Sequence, residues 1–355
     1  GFFVKEPTIL FAPLLFFYDL LFNRNAILTR IFQPVNRKKT IQSVKVALPA
    51  FIMGVCLYIL YKKMTPETWI ASNTPRFNYL ITQPFVILHY FNNFILPVNL
   101  SADSDWKAFS NLWDDRVIAG TAFVLTLFGA ALYFSKNQAT KPVCFGILWY
   151  FVALSPTSSV IPLGEVLNDH RTFFPNIGLI LAAIAAFGIM FKKHEQKIAG
   201  SKVLRVLIFV AAAGFLAAHA YGTHQRNKVW HNGETLWYDV TVKSPENGRG
   251  LMNYALTQME RGNYETALAY YNKALEYNPN YTYLYINMAV LFGGMNRPGD
   301  AEQYFNKAIH LDPGNPEPWF FYGRWLYKEK RLQEAIFSLK RALELAAGYV
   351  PARYL

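Results

Sequence analysis

Cysteine and charge are both scarce in this sequence. The two cysteines, Cys56 and Cys144, each lie in an apolar run without a second ligand at metal-binding spacing, so neither a disulfide framework nor a zinc site is predicted. Only 16% of the residues are charged, whereas 53% are hydrophobic and 17% aromatic. A Gly-rich phosphate loop, a serine nucleophile elbow and a metal-binding His pair are also missing, which argues against nucleotide-driven transport. The composition is typical of a chain that contacts lipid.

Six apolar runs are long enough to cross a bilayer, whose hydrocarbon core of about 30 Å needs roughly 20 helical residues. They are 7–23, 43–61, 117–134, 142–162, 173–191 and 203–221. A further run, 79–98, contains Gln83, His89 and two prolines. It is predicted to be interfacial or re-entrant, because such groups need polar partners at bilayer depth. Residues 1–221 are therefore predicted to form a polytopic transmembrane helix bundle.

The positive charge of the chain predicts how this bundle is oriented. The net charge is +12, but most surplus Lys and Arg lie in short loops beside apolar runs, a distribution that sets membrane orientation and does not indicate nucleic-acid binding. With six spans, thirteen Lys and Arg between Lys5 and Arg205 lie on the cytoplasmic side and seven on the other. This topology places Lys5, Glu6, the loops 62–116 and 163–172, and everything after Tyr221 outside the cytoplasm.

Small residues recur every 34 residues in the C-terminal third. The three columns are Ala255, Ala289 and Gly323; Ala267, Ala301 and Ala335; and Ala274, Ala308 and Ala342. This period is the tetratricopeptide (TPR) signature, in which paired helices approach closely where side chains are small. The fold class is therefore predicted as all-α, with three TPR repeats over 248–349 after a linker at 222–247, and a fourth repeat starting at 350–355. Such arrays bind peptide or protein segments; a spacer or cap for a larger array is the alternative.

Two clusters of polar residues are candidates for chemistry. Lys5 and Glu6 precede the first span, and His170 and Arg171 follow Glu165, Asn168 and Asp169 in the loop 163–172. A basic side chain there can hold a lipid-linked phosphate, and a carboxylate can position a metal or an acceptor hydroxyl. The alternative is snorkelling at the interface.

The segment Asp103-Ser104-Asp105-Trp106 looks like the acidic pair that holds a metal–nucleotide in soluble glycosyltransferases. Asp and Ser also favour turns and helix caps, and Trp favours the interface. The structural interpretation is favoured here. For His89 and Tyr90, packing is favoured over the lining of a cavity.

An ordered series of short motifs resembles the TMTC-like family, membrane proteins with a GT-C type glycosyltransferase body followed by TPRs. The series is Val4-Lys5-Glu6, Tyr18-Asp19-Leu20-Leu21-Phe22, His89-Tyr90 to Leu96-Pro97, Ser155-Pro156 to Ile161-Pro162, His170-Arg171 with Pro175 and Gly178, and Arg226-Asn227 with Trp230 and Leu236-Trp237. The resemblance covers nearly the whole chain.

The family resemblance implies an activity like that of protein O-mannosyltransferases, which move a sugar from a polyprenyl- or dolichyl-phosphate carrier to a protein Ser or Thr. By this resemblance Lys5, Glu6, His170 and Arg171 bind the donor. The catalytic acid is expected before Gly1, so this chain alone is expected to be inactive. No cofactor besides the lipid-phosphate sugar donor is implied, and the need for a divalent metal stays open.

The predicted partners are membrane lipids, the donor and a protein or peptide in the TPR groove, and nucleic acid is excluded. The TPRs are predicted to be periplasmic, at a bacterial inner membrane, or in the lumen of the endoplasmic reticulum. The alternative function is a non-catalytic membrane-anchored TPR scaffold for complex assembly.

Overall fold

The fold is described by a computed structural model for residues 10–64, 74–158 and 162–346. Within these ranges the chain contains helices and no strands, which confirms the all-α prediction. The chain divides into two compact units. The first comprises the described residues up to Leu100 and from Trp106 to His224, and the second comprises Ser101–Asp105 and the described residues from Gln225.

The first unit contains eight α-helices, counted over the described residues. They are α1 (Phe11–Tyr18, extended by a π-helical turn at Asp19–Asn23), α2 (Pro34–Met64), α3 (Arg76–Ile95), α4 (Asp115–Phe134), α5 (Lys141–Leu154), α6 (Phe173–Lys193), α7 (Glu195–Gly200) and α8 (Lys202–Val229). The last residues of α8, from Gln225, belong to the second unit.

Four helical stretches in the described part of the chain are long and apolar enough to cross a membrane. They are Asn36–Leu60, Asp115–Phe134, Asp169–Lys193 and Lys202–Val229, and Phe11–Asn23 is a shorter apolar helix. The chain is therefore a membrane protein, while the count of six spans stays a prediction. The run predicted at 142–162 corresponds to α5, which ends at Leu154 because Pro156 has no N–H to continue the helical hydrogen bonds.

The run predicted to be interfacial or re-entrant is one unbroken helix, α3, with Pro84 inside it. Two of its polar residues face protein, since Gln83 is 2% exposed and Thr82 is fully buried, and the Thr82 hydroxyl accepts a hydrogen bond from the Phe109 amide at 2.8 Å. Asn92 is exposed. Neighbouring α4 approaches closely, since a Cβ on Gly120 would lie 2.3 Å from the Phe85 amide nitrogen. Whether α3 lies in the interface or crosses the membrane stays a prediction.

Helices α5 and α6 pack at two facing glycines. A Cβ on Gly146 would lie 2.4 Å from the Gly178 carbonyl oxygen, and a Cβ on Gly178 would lie 2.5 Å from the Gly146 carbonyl oxygen. Small residues at such crossings allow the backbones of membrane helices to touch. This contact holds α6 in place, and with it the 3₁₀ turn Asp169–Thr172 that leads directly into α6.

The second unit contains three helical hairpins, the predicted repeats. Their helix pairs are α10 (Gly248–Glu260) with α11 (Tyr264–Tyr277), α12 (Thr282–Gly294) with α13 (Pro298–Leu311), and α14 (Pro316–Lys328) with α15 (Leu332–Leu345). All three columns of small residues are buried, as predicted for helix crossings. The hairpins agree with the predicted fold class, while the bounds 248–349 stay a prediction, and the predicted fourth repeat at 350–355 lies outside the described residues.

Residues 222–247, predicted to be a linker, are mostly helical. They contain the end of α8 and the helix α9 (Gly233–Lys243). Asn232 caps α9 by accepting from the Thr235 amide, while the Thr235 side chain bonds back to the Asn232 amide. Val240 of α9 is buried against Gly250 of α10, where an added Cβ would lie 2.5 Å from the Val240 Cγ1. Helix α9 therefore covers the first repeat, a role that the 34-residue period does not reveal.

Candidate functional site

The loop before α6 is fixed to α3 by hydrogen bonds. The Tyr90 hydroxyl donates to the Asn168 carbonyl and accepts from the Asn168 amide, both at 3.0 Å. The Asn168 side chain caps the following 3₁₀ turn by accepting from the His170 amide, and the Thr172 hydroxyl closes the turn by donating to the Asp169 carbonyl at 2.8 Å. Asn168 is 2% exposed. These hydrogen bonds therefore fix the backbone from which the charged side chains of the loop extend.

Arg171 is held in one position by Glu165. The guanidinium donates from Nη2 to Glu165 Oε2 at 2.6 Å and from Nη1 to the Glu165 carbonyl at 3.1 Å. The two side chains are 11% and 19% exposed, and the Tyr79 phenol lies within electrostatic range of the guanidinium. Glu165 accepts from only some of the N–H donors of the planar guanidinium. A preorganised cation of this kind can bind an anion through the donors that Glu165 does not engage.

A second polar group lies on the same turn. Asp169 accepts a hydrogen bond from Asn93 at 3.0 Å and lies 3.6 Å from His89 Nε2. Asn93 also contacts His89 at 3.0 Å, and the His89 ring lies 5.0 Å from the Trp106 ring, measured between centroids. Asn93 therefore bridges the imidazole and the carboxylate. The sequence interpretation favoured packing for His89 and did not predict its approach to Asp169. The one sequence signal is that His89 belongs to a motif of the family series and Asp169 directly precedes another, His170-Arg171.

The structure brings together some of the predicted site residues and not others. His170 is exposed and adjacent to Arg171 on the same turn. Lys5 and Glu6 lie outside the described residues, so their assignment stays a prediction. In the part of the chain that is described, no group of three or more His, Cys, Asp or Glu side chains is arranged to hold a metal ion.

The acidic segment Asp103-Ser104-Asp105 is bound by the first repeat. Asp103 is 2% exposed, and Arg249 approaches its Oδ2 through Nε and Nη2, each at 2.7 Å. Asn247 donates to the Ser104 carbonyl at 2.9 Å, and the Glu246 amide donates to Asp105 at 3.2 Å. These contacts agree with the structural interpretation of the segment.

An aromatic row runs from α9 into the first repeat, and an ionic cluster joins the later repeats. The rings of Tyr238 in α9, Tyr254 in α10 and Tyr270 in α11 follow one another with centroids 5.5 and 4.7 Å apart.

Arg331, which precedes α15, forms the centre of the ionic cluster. It contacts Glu302 of α13 at 2.8 Å and Glu334 at 2.5 Å, and the Tyr322 hydroxyl donates to Glu302 at 2.7 Å. The hydrogen bond from Arg331 lowers the pKa of Glu302. Charge pairs thus join the second repeat to the third.

Comparison with known proteins gives matches over both units. A tetratricopeptide-repeat family profile matches residues 258–319 and 294–355. The protein O-mannosyl-transferase Tmtc3 of Drosophila melanogaster is 24% identical over 328 residues, covering 85% of this chain and 34% of that protein. The protein O-mannosyl-transferase TMTC3 of Mus musculus is 25% identical over 237 residues, covering 62% of this chain and 25% of that protein.

Further matches are less extensive. The type IV pilus assembly protein PilF of Pseudomonas aeruginosa is 34% identical over 87 residues, which is 24% of this chain and 34% of that protein. The crystal structure of yeast Tom70 superposes with a TM-score of 0.29 at 14% identity, covering 87% of this chain and 59% of that one, too weak a likeness to support an argument. The chain spans about a third or less of the length of these curated relatives.

Proposed function

We propose that this chain is part of a membrane glycosyltransferase, because it is a TMTC-like membrane protein with tetratricopeptide repeats. The reaction moves a mannose-like sugar from a polyprenyl- or dolichyl-phosphate carrier to a protein acceptor on the non-cytoplasmic side. In this proposal the repeats dock the acceptor or a partner protein. The support is that the match to a protein O-mannosyl-transferase runs over 328 residues and includes both units.

The observation that carries the donor site is the placement of Arg171. Its guanidinium is 11% exposed and oriented by Glu165, at the start of a helix that is long and apolar enough to cross a membrane. A planar guanidinium matches two phosphate oxygens at once, and low exposure to water strengthens that contact. Arg171 is therefore assigned to the carrier phosphate, with His170 beside it, and Glu165 is assigned as a positioning residue. Lys5 and Glu6 keep the donor-binding role that the family resemblance implies.

Substitution of Arg171 in the full-length protein tests this assignment. Arg171→Ala is expected to lower transfer of labelled sugar from a polyprenyl-phosphate donor to acceptor peptides by about 100-fold or more, as when one preorganised transition-state contact is removed. Arg171→Lys keeps the charge and loses the planar fork, so partial activity is expected. The matched control is Arg116→Ala, because Arg116 is 56% exposed and contacts Asp114 and the Phe109 ring, neither of which is assigned to the donor site. Full transfer by a folded Arg171→Ala protein would contradict the assignment.

One observation favours a second candidate function, a non-catalytic membrane-anchored scaffold. The Arg171 guanidinium already has a carboxylate partner, as expected for an ion pair that only stabilises the loop. In that case Arg171→Ala lowers the melting temperature and changes nothing else. Failure of the unmodified full-length protein to transfer any of a panel of polyprenyl-phosphate sugars to any acceptor peptide would select the scaffold.

A further inference from the structure

A basic groove lies along the first turns of α2. It has a volume of about 440 Å³, and its lining includes Phe32, Arg37, Lys38, Ile41, Gln42 and Lys45. The helical spacing of these residues places them along one side of α2. Phe32, at one end of the groove, is 96% exposed, so an apolar ring stands beside the three cations.

Within the ranges that the structure describes, no side chain neutralises the three cations of the groove. Among the described residues, none of Arg37, Lys38 and Lys45 makes a side-chain hydrogen bond or an ion pair. Asp19 reaches this helix through Ser43 at 2.7 Å, but its carboxylate is already bonded to Arg24 at 3.1 Å. Arg24 in turn donates to Gln42 at 3.3 Å, so Asp19 and Arg24 balance each other and leave Arg37, Lys38 and Lys45 as the net charge of the groove. The field in the groove therefore favours an anion.

The position of the groove relative to the apolar part of α2 indicates what covers it. Beyond Lys45, exposed apolar side chains continue along the helix. They are Val46, Leu48, Phe51, Ile52, Met53, Val55, Tyr58, Ile59 and Leu60. This surface belongs to a stretch that is long and apolar enough to cross a membrane, so acyl chains cover it.

The groove therefore lies at the depth of the lipid headgroups. Arg37 and Lys45 are eight residues apart, which corresponds to about 12 Å of helix, and the headgroup layer on each side of the hydrocarbon core is about 5–8 Å thick. Lys45 then lies at the edge of the hydrocarbon, where its stem can snorkel, and the backbone of Arg37 lies just beyond the headgroups, from where its long side chain reaches back to them. A headgroup between them contacts all three cations.

We propose that this groove binds the phosphate-bearing headgroup of an anionic phospholipid. The cations of Arg37, Lys38 and Lys45 contact the phosphate and the second acidic group of the headgroup, and Phe32 bounds the groove at its end away from the hydrocarbon. A choline headgroup carries its own cation, which the same three residues repel. This binding is independent of sugar transfer and needs no residue assigned to the donor.

The test measures lipid selectivity of the full chain in nanodiscs. Spin-labelled phosphatidylserine and phosphatidylcholine are compared by electron paramagnetic resonance, and the unmodified protein is expected to prefer phosphatidylserine. Removing three basic residues in Arg37→Gln/Lys38→Gln/Lys45→Gln is expected to reduce that preference by about 5-fold or more, the factor that roughly a single basic residue near a membrane surface contributes. High salt is expected to weaken the preference of the unmodified protein.

The control removes the same charge elsewhere. Lys192, Lys193 and Lys197 are exposed at and after the end of α6, and Lys192→Gln/Lys193→Gln/Lys197→Gln is expected to lower the preference less than the groove variant does, because these cations act only through the general charge of the surface. Equal loss of the preference in both triple variants would attribute lipid selectivity to overall charge and would contradict binding in the groove. A lack of preference in the unmodified protein would also contradict it. Displacement of the lipid by millimolar inorganic phosphate would identify a soluble anion as the ligand instead. Should the groove triple variant fail to fold, Lys45→Gln alone must still lower the preference, or the proposal fails.

Discussion

At the scale of single residues, the role of Asp103 depends on the side chains that surround it in the structure. In the sequence, Asp103 and Asp105 look like a metal-binding pair. In the structure, Asp103 is 2% exposed and contacts Arg249 at 2.7 Å, so its charge is balanced by a cation of the first repeat. A buried carboxylate that loses its partner keeps the full desolvation cost. The pair is therefore a structural element of the second unit.

Arg249→Gln is expected to destabilise the first repeat by about 2–3 kcal/mol. This is less than the loss for a fully buried ion pair, because the Arg249 side chain is 40% exposed. Hydrogen exchange of the α10 amides in the full chain measures the change. The control is Arg261→Gln, which removes the more exposed pair with Glu234 and is expected to cost less than about 1 kcal/mol. Equal protection of α10 in the Arg249→Gln and unmodified proteins would show that the pair has no structural role.

At the scale of elements, the turns inside the three repeats share one backbone conformation. The residues with positive φ are Gly262, Asn296 and Lys330, at +79°, +58° and +63°, and they follow the same 34-residue register as the small columns. Glycine adopts this conformation without steric cost, asparagine tolerates it, and lysine is strained in it. The third repeat therefore carries strain that the first avoids.

Lys330→Gly is expected to stabilise the third repeat by about 0.5–1 kcal/mol. The substitution relieves the left-handed strain, but glycine has more conformational freedom in the unfolded chain, which offsets part of that gain. The reverse change, Gly262→Lys, is expected to destabilise the first repeat by about 1 kcal/mol. A Cβ at Gly262 has no atom within 4 Å, so the change reports backbone strain alone. Hydrogen exchange of α15 and α11 follows the two repeats separately. Opposite signs are required; a loss of protection in both variants would contradict the explanation.

At the scale of the whole molecule, the proposed reaction requires the repeats to lie outside the cytoplasm. The distribution of Lys and Arg predicts that side for everything after Tyr221, and it predicts the cytoplasmic side for the segment around α7. Sugar carried on a polyprenyl or dolichyl phosphate reaches a protein acceptor only if both are on one side of the bilayer. The orientation is thus a necessary condition for the proposed function.

Protease treatment of sealed vesicles with the cytoplasmic face outward measures this orientation. The repeats are expected to survive until detergent is added. A protease site inserted in α7, at Glu195–Gly200, is expected to be cut in the same vesicles, which controls for access. Digestion of the repeats in sealed vesicles would place them in the cytoplasm and remove the proposed acceptor site with them.

The sequence alone determined the features that depend on local periodicity. Apolar runs predicted the long helices, and columns such as Ala255, Ala289 and Gly323 predicted the repeats, because burial on one side of a helix recurs at fixed spacing. Ordered motifs also predicted the TMTC-like resemblance. The boundaries of α5 and the helical nature of 222–247 were less predictable, since prolines and caps compete with periodicity at helix ends.

Only the tertiary structure decided which polar groups meet. Asn93 pairs with Asp169 across 76 residues of sequence and Asp103 pairs with Arg249 across 146, and no periodic pattern links such positions. Even Arg171 and Glu165, six residues apart, meet only because Tyr90 fixes the intervening loop. A buried charge needs a partner, but the sequence does not say which one, because the choice depends on how separate helices pack.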